Sequence, residues 1–255
     1  MGLREDALVA IEESVVLCRR IAKDRPAAFG SGLAVTLSDL SNMLSDVGQR
    51  EGALAAIQES VTLYRPLAES RPAAFNQEFT RALNILSVRL AQVERHEEAL
   101  AAIQESVALH RKLVDDFPVT SKYPLALSLN SLSNRLSQLG HAEGALAAIR
   151  ECVMLLRQVA EDRPAALNPQ LASALKNLSI CLSALDYRED ALEAAKEAVE
   201  LNRPLAKDIP AVFKSRLASS LEQLSISLRD LNQEEAAVMA EQEANALNLS
   251  ETPSA

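Results

Sequence analysis

The sequence predicts an all-α solenoid built from antiparallel helix pairs, and three observations lead to this fold class. An Arg-Pro element, RPAAF and its variants, recurs with a constant step of 46 residues. An EDAL-type motif recurs with the same step, and no residue is inserted or deleted within the array. A fixed period of this size is typical of units that bury their apolar faces only by stacking on neighbours. The prolines of the first motif are Pro26, Pro72, Pro118, Pro164 and Pro210.

Each repeat is predicted to begin with a helix that follows the Arg-Pro element, here called the first-type helix. In the second repeat, apolar residues recur at helical spacing on one face, at Phe79, Leu83, Leu86 and Leu90. Leucines stand at the same places in the repeats before and after it. We therefore expect Leu86 and its repeat mates to be fully buried.

The ends of the first-type helix are predicted from capping residues. Asn76 and Asn168 stand where an N-cap is expected, and Pro169 follows at the first turn, which gives a helix of roughly 17 residues, about 25 Å long. At the other end, glycine in the left-handed conformation commonly terminates a helix, and Asp or Asn tolerates the same conformation. These stop residues are Gly48, Gly140, Asp186 and Asn232.

The second helix of each repeat, here the second-type helix, begins at the EDAL-type motif. In the second repeat it carries Leu54, Ile57 and Val61 on one face. It should end before the next Arg-Pro element, because proline lacks an N–H donor and disfavours helix at the residue before it. The turn between the two helices has only two or three residues, so the pair must be antiparallel.

The charge of the chain argues against a nucleic-acid partner. The formal net charge is −9 and the isoelectric point is near 5.0, whereas affinity for phosphate backbones depends on clustered Lys and Arg. No run of 18 apolar residues and no signal peptide is visible, so no membrane association is expected. Cys18, Cys152 and Cys181 have no CxxC spacing and are expected to be free thiols of a cytoplasmic protein.

The sequence offers little chemistry for catalysis. His96, His110 and His141 occupy three different repeat positions, lack metal-ligand spacing and are expected to be solvated. The acidic pairs lie in N-terminal turns, where carboxylates favour the helix dipole. With only seven glycines there is no phosphate-binding loop. We therefore expect no enzyme activity, no metal and no cofactor.

The pattern LxxLSxxLxxxGxxxEALxAIxES resembles the tetratricopeptide repeat, with leucine and isoleucine in place of the aromatic residues. The usual period of that family is 34 residues, and the longer period here is similar to the repeats of kinesin light chains. The DRPAAF connector also resembles repeat arrays of fungal and actinobacterial NLR-like signalling proteins. In the second repeat the signature falls on Leu83, Leu86, Ser87, Leu90, Glu94, Ala99, Ile103 and Ser106.

The resemblance implies a right-handed superhelix of about 11 helices that binds a protein or peptide on its concave face, which the outward side of the first-type helices would line. Amides, hydroxyls and small apolar groups prevail on that side, and a merely solvated face is the alternative. The family's carboxylate clamp needs paired Lys and Asn from successive repeats, and only Lys176 matches it. The predicted peptide-binding residues are Asn42, Arg81, Asn84, Val88, Asn130, Asn134, Lys176, Asn177 and Ile180.

The two ends of the array lead to different expectations. Glu241 and Asn245 replace core residues of the last repeat, so its final helix should face water. The first helix carries an apolar stripe, Leu8, Ile11, Val15 and Leu17, with no preceding helix to cover it. We expect a single solenoid over residues 1–249 and a disordered tail over 250–255. It would be the C-terminal sensor or adaptor array of a larger signalling protein, or else a structural module that self-associates end to end through this stripe.

Overall fold

The structure, a computed structural model, describes residues 2–160 and 164–249, and these residues form eleven α-helices without any β-strand. The expected tail at residues 250–255 lies outside the described residues. The helices are α1 (Gly2–Asp24), α2 (Pro26–Asp46), α3 (Arg50–Ser70), α4 (Pro72–Gln92), α5 (His96–Asp116), α6 (Pro118–Gln138), α7 (Ala142–Ala160), α8 (Pro164–Ala184), α9 (Arg188–Asp208), α10 (Pro210–Asp230) and α11 (Glu234–Leu249).

The chain divides into two compact units, residues 1–121 and residues 122–255. In each unit the even-numbered helices are first-type and the odd-numbered helices are second-type. Successive helices pack on each other: α1 to α5 in order in the first unit, and α7 to α11 in the second, where α8 also contacts α10. The all-α helix-pair solenoid is therefore confirmed, whereas a single solenoid over residues 1–249 stays a prediction.

The turns after the first-type helices are three residues long, and each contains one residue in the left-handed conformation. Gly48 and Gly140 have φ of 80° and 77°. Asp186, Asn232 and also Glu94 adopt φ of 64°, 57° and 62° at the same repeat position. The predicted helix stops are confirmed. At three of the five positions the residue has a Cβ, for which the left-handed conformation is energetically unfavourable.

The predicted start of the first-type helices is wrong. Helix α4 begins at Pro72 rather than near Asn76, and Pro169 lies inside α8. Both helices have 21 residues instead of roughly 17. Proline is suited to the first helical position, since its φ is already helical and no intrahelical acceptor exists there for an N–H. Only Arg71 separates α3 from α4, and it makes no side-chain capping bond.

The core of the first unit lies between its two layers of helices. Leu37, Ile57, Leu83 and Ile103 are almost completely buried there. The expectation that Leu86 is fully buried is wrong, because its side chain is only half-buried and lines a surface cleft beside Gln58 and Arg65. Leu86 shares the helical spacing of the core residues, but it lies at a cleft between α3 and α5, and neither helix covers it completely.

The predicted apolar stripe of α1 is also partly wrong. Val15 is buried, and Leu8 and Ile11 are half-buried in the same cluster against α2. A second-type helix packs its apolar face on the first-type helix that follows it, so this part of the stripe needs no preceding helix. Leu17 alone among the four stays exposed, at 56% of its surface.

Helix α11 presents its polar residues to solvent. Glu241 and Asn245 are exposed, as predicted, and Glu241 pairs with Arg229 of α10. The buried face of α11 consists of Ala237, Ala240 and Ala244. Small side chains on this face let α11 approach α10 closely.

Ion pairs between consecutive second-type helices recur in both units, and the sequence analysis missed them. Each joins an arginine near the end of one second-type helix to a glutamate 40 residues later. All are partly exposed, so each is worth about 0.2–1 kcal/mol. The pairs are Arg19–Glu59, Arg65–Glu105, Arg157–Glu197 and Arg203–Glu243.

None of the helices within the described residues combines the length and the apolar character needed to cross a lipid bilayer.

Candidate functional site

The predicted peptide-binding residues lie on one side of the first-type helices in each unit, a surface here called the first-helix face. In the first unit, Asn42 and Asn84 are half-buried, whereas Arg81 and Val88 are exposed. Arg81 lies 3.8 Å from the carboxylate of Glu78 on its own helix. Because both of these side chains are well exposed, their ion pair adds little stability.

A buried arginine that the sequence analysis missed lies beside Asn42. Arg89 of α4 donates from Nη2 to Asn42 Oδ1 at 2.8 Å and from Nη1 to Gln92 Oε1 at 3.2 Å. Its Nε donates to the hydroxyl of Ser41 at 3.3 Å. Burial lowers the pKa of Arg89 from its ordinary value. The side-chain oxygen of Asn42 therefore already accepts a hydrogen bond within the protein.

In the second unit, an amide pair connects two first-type helices. Asn177 of α8 donates from Nδ2 to Asn130 Oδ1 of α6 at 2.9 Å. Asn134 is half-buried on α6, and Ile180 exposes 43% of its surface on α8. The predicted site residues of this unit therefore share one face, and two of them contact each other directly.

Lys176 lies at a cavity between α8 and α10. Its Nζ donates to Ser219 Oγ at 3.0 Å, and the cavity has a volume of about 450 Å³. Arg216 of α10 lines it from the other side, and Asn202 of α9 lines it from the second helix layer. Asn202 donates from Nδ2 to Ser220 Oγ at 2.9 Å.

This cavity was not predicted, although the sequence contains one signal for it. The repeat position of Asn202 holds Tyr64, His110 and Leu156 in earlier repeats. The first repeat has Cys18 there, so Asn202 is smaller than three of its four repeat equivalents, which indicates a polar space in the second helix layer.

His110 and Cys152 are titratable residues that lie in the core. The prediction that His110 is solvated is wrong: its ring is 3% exposed and lies 3.0 Å from the hydroxyl of Thr80 through Nε2. Burial lowers the pKa of His110 to about 4 and raises the pKa of the Cys152 thiol to about 12. All three cysteines are free thiols, as predicted. Within the described residues, no group of three His, Cys, Asp or Glu side chains is placed to hold a metal ion.

Family comparisons match separate parts of the chain. The tetratricopeptide repeat model matches residues 33–66 and 80–118. The model of anaphase-promoting complex subunit 5 matches residues 119–168 and 159–209. No curated protein sequence matches the chain significantly.

Solved structures with the same fold share little sequence with the chain. BtubC (BKLC) from P. vanneervenii is 15% identical with a TM-score of 0.76, covering 99% of this chain and 94% of that one. The nearly identical TPR-like repeats of a Podosopora anserina protein described as a kinesin light chain are 15% identical with a TM-score of 0.66, covering 87% of this chain and 96% of that one. YrrB, described as a TPR protein with an unusual peptide-binding site, is 14% identical with a TM-score of 0.50, covering 92% and 93%.

These neighbours agree with the similarity to kinesin light chain repeats, and the resemblance to NLR-like signalling proteins stays a prediction. The solved structures show that the chain has the fold of tetratricopeptide repeat arrays, and residues 33–66 and 80–118 match the model of that family.

Proposed function

We propose that the chain is a non-catalytic scaffold that binds a protein or peptide in the groove lined by its first-type helices. The observation that carries this proposal is the character of the first-helix face. Amide and hydroxyl groups on it alternate with exposed apolar side chains such as Val88 and Ile180, where a solvated helix face would be charged. YrrB, which shares the fold, is described as having a peptide-binding site.

The chemistry of the face suits an extended peptide. An Asn side chain offers one acceptor and two donors, so it can pair with both the N–H and the C=O of a peptide backbone. The exposed apolar residues then supply contacts for side chains of the ligand, as in other modes of peptide recognition. Asn84, Asn130 and Asn134 lie on first-type helices at half-buried positions, where a bound peptide would exclude water from their hydrogen bonds.

The experiment selects peptides on the full chain from a displayed library and measures their affinity by calorimetry. Replacing Asn130 and Asn134 together with Ala should weaken binding about tenfold, since each lost hydrogen bond is worth about 0.5–1.5 kcal/mol. Asn84→Ala tests the first unit separately. Gln104→Ala on the exposed side of α5 is the matched control and should leave the affinity unchanged. Equal affinities for all variants would place the peptide elsewhere and contradict the proposal.

The cellular role belongs to the same proposal. The repeat connector resembles the arrays of NLR-like signalling proteins, and the free thiols suit a reducing compartment. We place the chain in the cytoplasm as the C-terminal sensor or adaptor of a larger signalling protein. The reading frame that encodes it tests this role, since a nucleotide-binding domain upstream would support it and a frame without any further domain would contradict it.

A second candidate function is self-association, and the exposed side of α1 favours it. Val9, Val16, Leu17 and Ile21 each expose about half of their surface there, and exposed apolar patches often mark interaction sites. The internal equivalents of the last two, Leu63 and Leu67, are half-buried. Light scattering should show a dimer that the double variant Leu17→Glu, Ile21→Glu abolishes while circular dichroism stays unchanged. A monomeric wild-type chain would exclude this function.

A further inference from the structure

We infer that Arg89 is a positioning residue of the first-helix face: it fixes the side-chain amide of Asn42 so that Nδ2 donates to a backbone carbonyl oxygen of the peptide. This inference rests on the proposed function, because that function supplies the peptide. It deepens the proposal, since it names the group of the ligand that Asn42 takes and the residue that prepares Asn42 for it.

The contact between Arg89 and Asn42 determines which way the amide of Asn42 points. Arg89 Nη2 of α4 donates to Asn42 Oδ1 of α2 at 2.8 Å. A guanidinium has only donors, whereas the two ends of an Asn amide are an acceptor and a donor. Turning the amide of Asn42 by 180° would place its NH₂ group against the donors of Arg89. The contact therefore allows one orientation of the amide only.

Arg89 is itself held in place and has no counter-ion. The residue is 9% exposed, and it also donates to Ser41 and Gln92. All of these acceptors are neutral, and burial lowers the pKa of Arg89. Met43 stands at the same repeat position in α2, so an apolar side chain is accepted there. A buried cation without a counter-ion is costly, and stability alone therefore does not account for an arginine at this position.

The other end of the Asn42 amide is open to a ligand. Asn42 is half-buried on the first-helix face. Its Nδ2 makes no hydrogen bond within the described residues, and solvent reaches this atom. Nδ2 can therefore donate to an acceptor of the peptide without breaking a contact of the protein.

The charges beside Asn42 favour a neutral acceptor over a carboxylate. Asp39 and Asp46 lie about one turn before and after Asn42 on the same side of α2, and both are exposed. Neither forms an ion pair within the described residues. These two carboxylates outnumber the single buried cation and repel an anionic group of the ligand. A backbone carbonyl is the neutral acceptor that a peptide carries at every residue.

The next repeat has the same arginine without the asparagine. Arg135 stands at the position of Arg89, and Val88 stands at the position of Asn42. Burial lowers the pKa of Arg135, and its Nε has no hydrogen-bond partner. The bond between a guanidinium and an amide oxygen is therefore not a general property of the repeat.

The experiment measures the affinity of a peptide selected on the full chain from a displayed library, and the mobility of the Asn42 amide in the ¹⁵N-labelled chain. Asn42→Asp keeps an oxygen for Arg89 and removes the N–H donors. It should weaken binding about tenfold, equivalent to about 1.4 kcal/mol. The free energy of unfolding should not fall, because the new carboxylate supplies a counter-ion for Arg89.

Variants of Arg89 test its positioning role. Arg89→Met introduces the residue of Met43, and it should weaken binding about tenfold. It should also make the Asn42 amide more mobile, measured as a lower NMR order parameter. Arg89→Lys, which keeps a cation that only donates, should restore most of the affinity and of the order. Arg95→Met is the control and should change neither, since Arg95 is exposed and pairs with Glu98 of α5.

A series of backbone esters of the same peptide identifies the bound group. An ester carbonyl is a weaker acceptor than an amide carbonyl. An ester at one position should therefore weaken binding to the wild type about threefold, within the range that one hydrogen bond contributes. The same ester should leave the affinity for Asn42→Asp unchanged, because the donor is already absent there.

Three outcomes would overturn the inference and leave the proposed function intact. They are wild-type affinity in Asn42→Asp, wild-type affinity in Arg89→Met, and a carboxylate of the peptide, rather than a backbone carbonyl, whose contribution is lost in Asn42→Asp. A chain that binds no displayed peptide would contradict the proposed function. The order parameter of the Asn42 amide would then decide the role of Arg89, since an unchanged value in Arg89→Met would exclude it.

Discussion

At the scale of single residues, one buried repeat position shows how a single side chain changes the local chemistry of a repeat. Tyr64, His110, Leu156 and Asn202 occupy this position in successive repeats, and all four are almost fully buried. The backbone around them is the same kind of helix pair each time. The residue at this position therefore decides whether the repeat has an aromatic core, a neutral imidazole, an aliphatic core or an amide at a cavity.

The buried imidazole of His110 should make stability depend on pH. Its pKa in the folded chain is about 4, below the ordinary value near 6.5, because burial disfavours the charged ring. The unfolded chain thus binds more protons than the folded chain between about pH 6.5 and pH 4. The free energy of unfolding should fall as the pH is lowered through this range, by up to on the order of 3 kcal/mol from this residue.

Urea melts at several pH values would measure this effect. His110→Leu, which has the residue of Leu156, should flatten the pH dependence, whereas His141→Gln at an exposed position should leave it as in the wild type. An equally steep dependence in His110→Leu would show that other groups cause it.

Two leucines of α4 should differ in their contribution to stability. Leu83 is 1% exposed, so Leu83→Ala should lower the free energy of unfolding by about 2–5 kcal/mol. Leu86 is half-buried in a surface cleft, and Leu86→Ala should cost clearly less. Urea melts of the two variants give the comparison directly. Equal losses would mean that Leu86 is as well packed as the core.

At the scale of the helix pair, the turn after each first-type helix depends on one left-handed residue. Glycine holds this position in two repeats, and Glu94, Asp186 and Asn232 hold it in the others. A residue with a Cβ costs more there than glycine, because the left-handed conformation brings its Cβ close to the backbone. The turns therefore form in all five repeats but not at equal cost.

Replacing Glu94 by glycine should stabilise the chain. The substitution removes the penalty of the positive φ, partly offset by the greater entropy of glycine in the unfolded state, so we expect a gain of about 0.5–1 kcal/mol. Glu200→Gly, at an exposed position in the middle of α9, is the control and should instead destabilise by about 1 kcal/mol. Thermal melts by circular dichroism compare the two. A lower melting temperature for Glu94→Gly would mean that the Glu side chain has a contact worth more than the strain.

At the scale of the whole molecule, packing is between near neighbours along the chain. Within each unit, a helix contacts the next helix along the chain and the next helix of its own type, as in the α8–α10 contact and the ion pairs between second-type helices. In such arrays stability is approximately a sum over repeats and their interfaces. A destabilising substitution in one repeat should therefore lower the stability of that repeat and its neighbours, and not that of distant repeats.

Hydrogen exchange followed by mass spectrometry tests this locality. Leu83→Ala should increase exchange in α3, α4 and α5, because the defect lies in the cluster that these helices share. Peptides from α10 and α11 should exchange as in the wild type. A uniform increase over the chain would indicate that the whole array unfolds as one cooperative unit.

The sequence by itself determined the period, the number and type of the helices, and the residues that end the first-type helices. These features depend on local rules: the spacing of apolar residues, the restrictions of proline and the tolerance for positive φ. The first-helix face follows from the same spacing, and peptide binding on it stays a prediction. The start of α4 was missed because proline at the first helical position competes with an Asn four residues later, and the sequence rules do not rank the two.

Only the tertiary structure decided which neighbour covers each residue. The half-burial of Leu86, the covering of Val15 by α2 and the ion pairs between residues 40 positions apart all depend on how far helices approach each other. The cavity at Asn202 depends on the space that three helices leave, because a short side chain stands where the three preceding repeats place Tyr64, His110 and Leu156. Helical periodicity gives the direction of a side chain but not the distance to the next helix, and that distance sets burial, pairing and cavities.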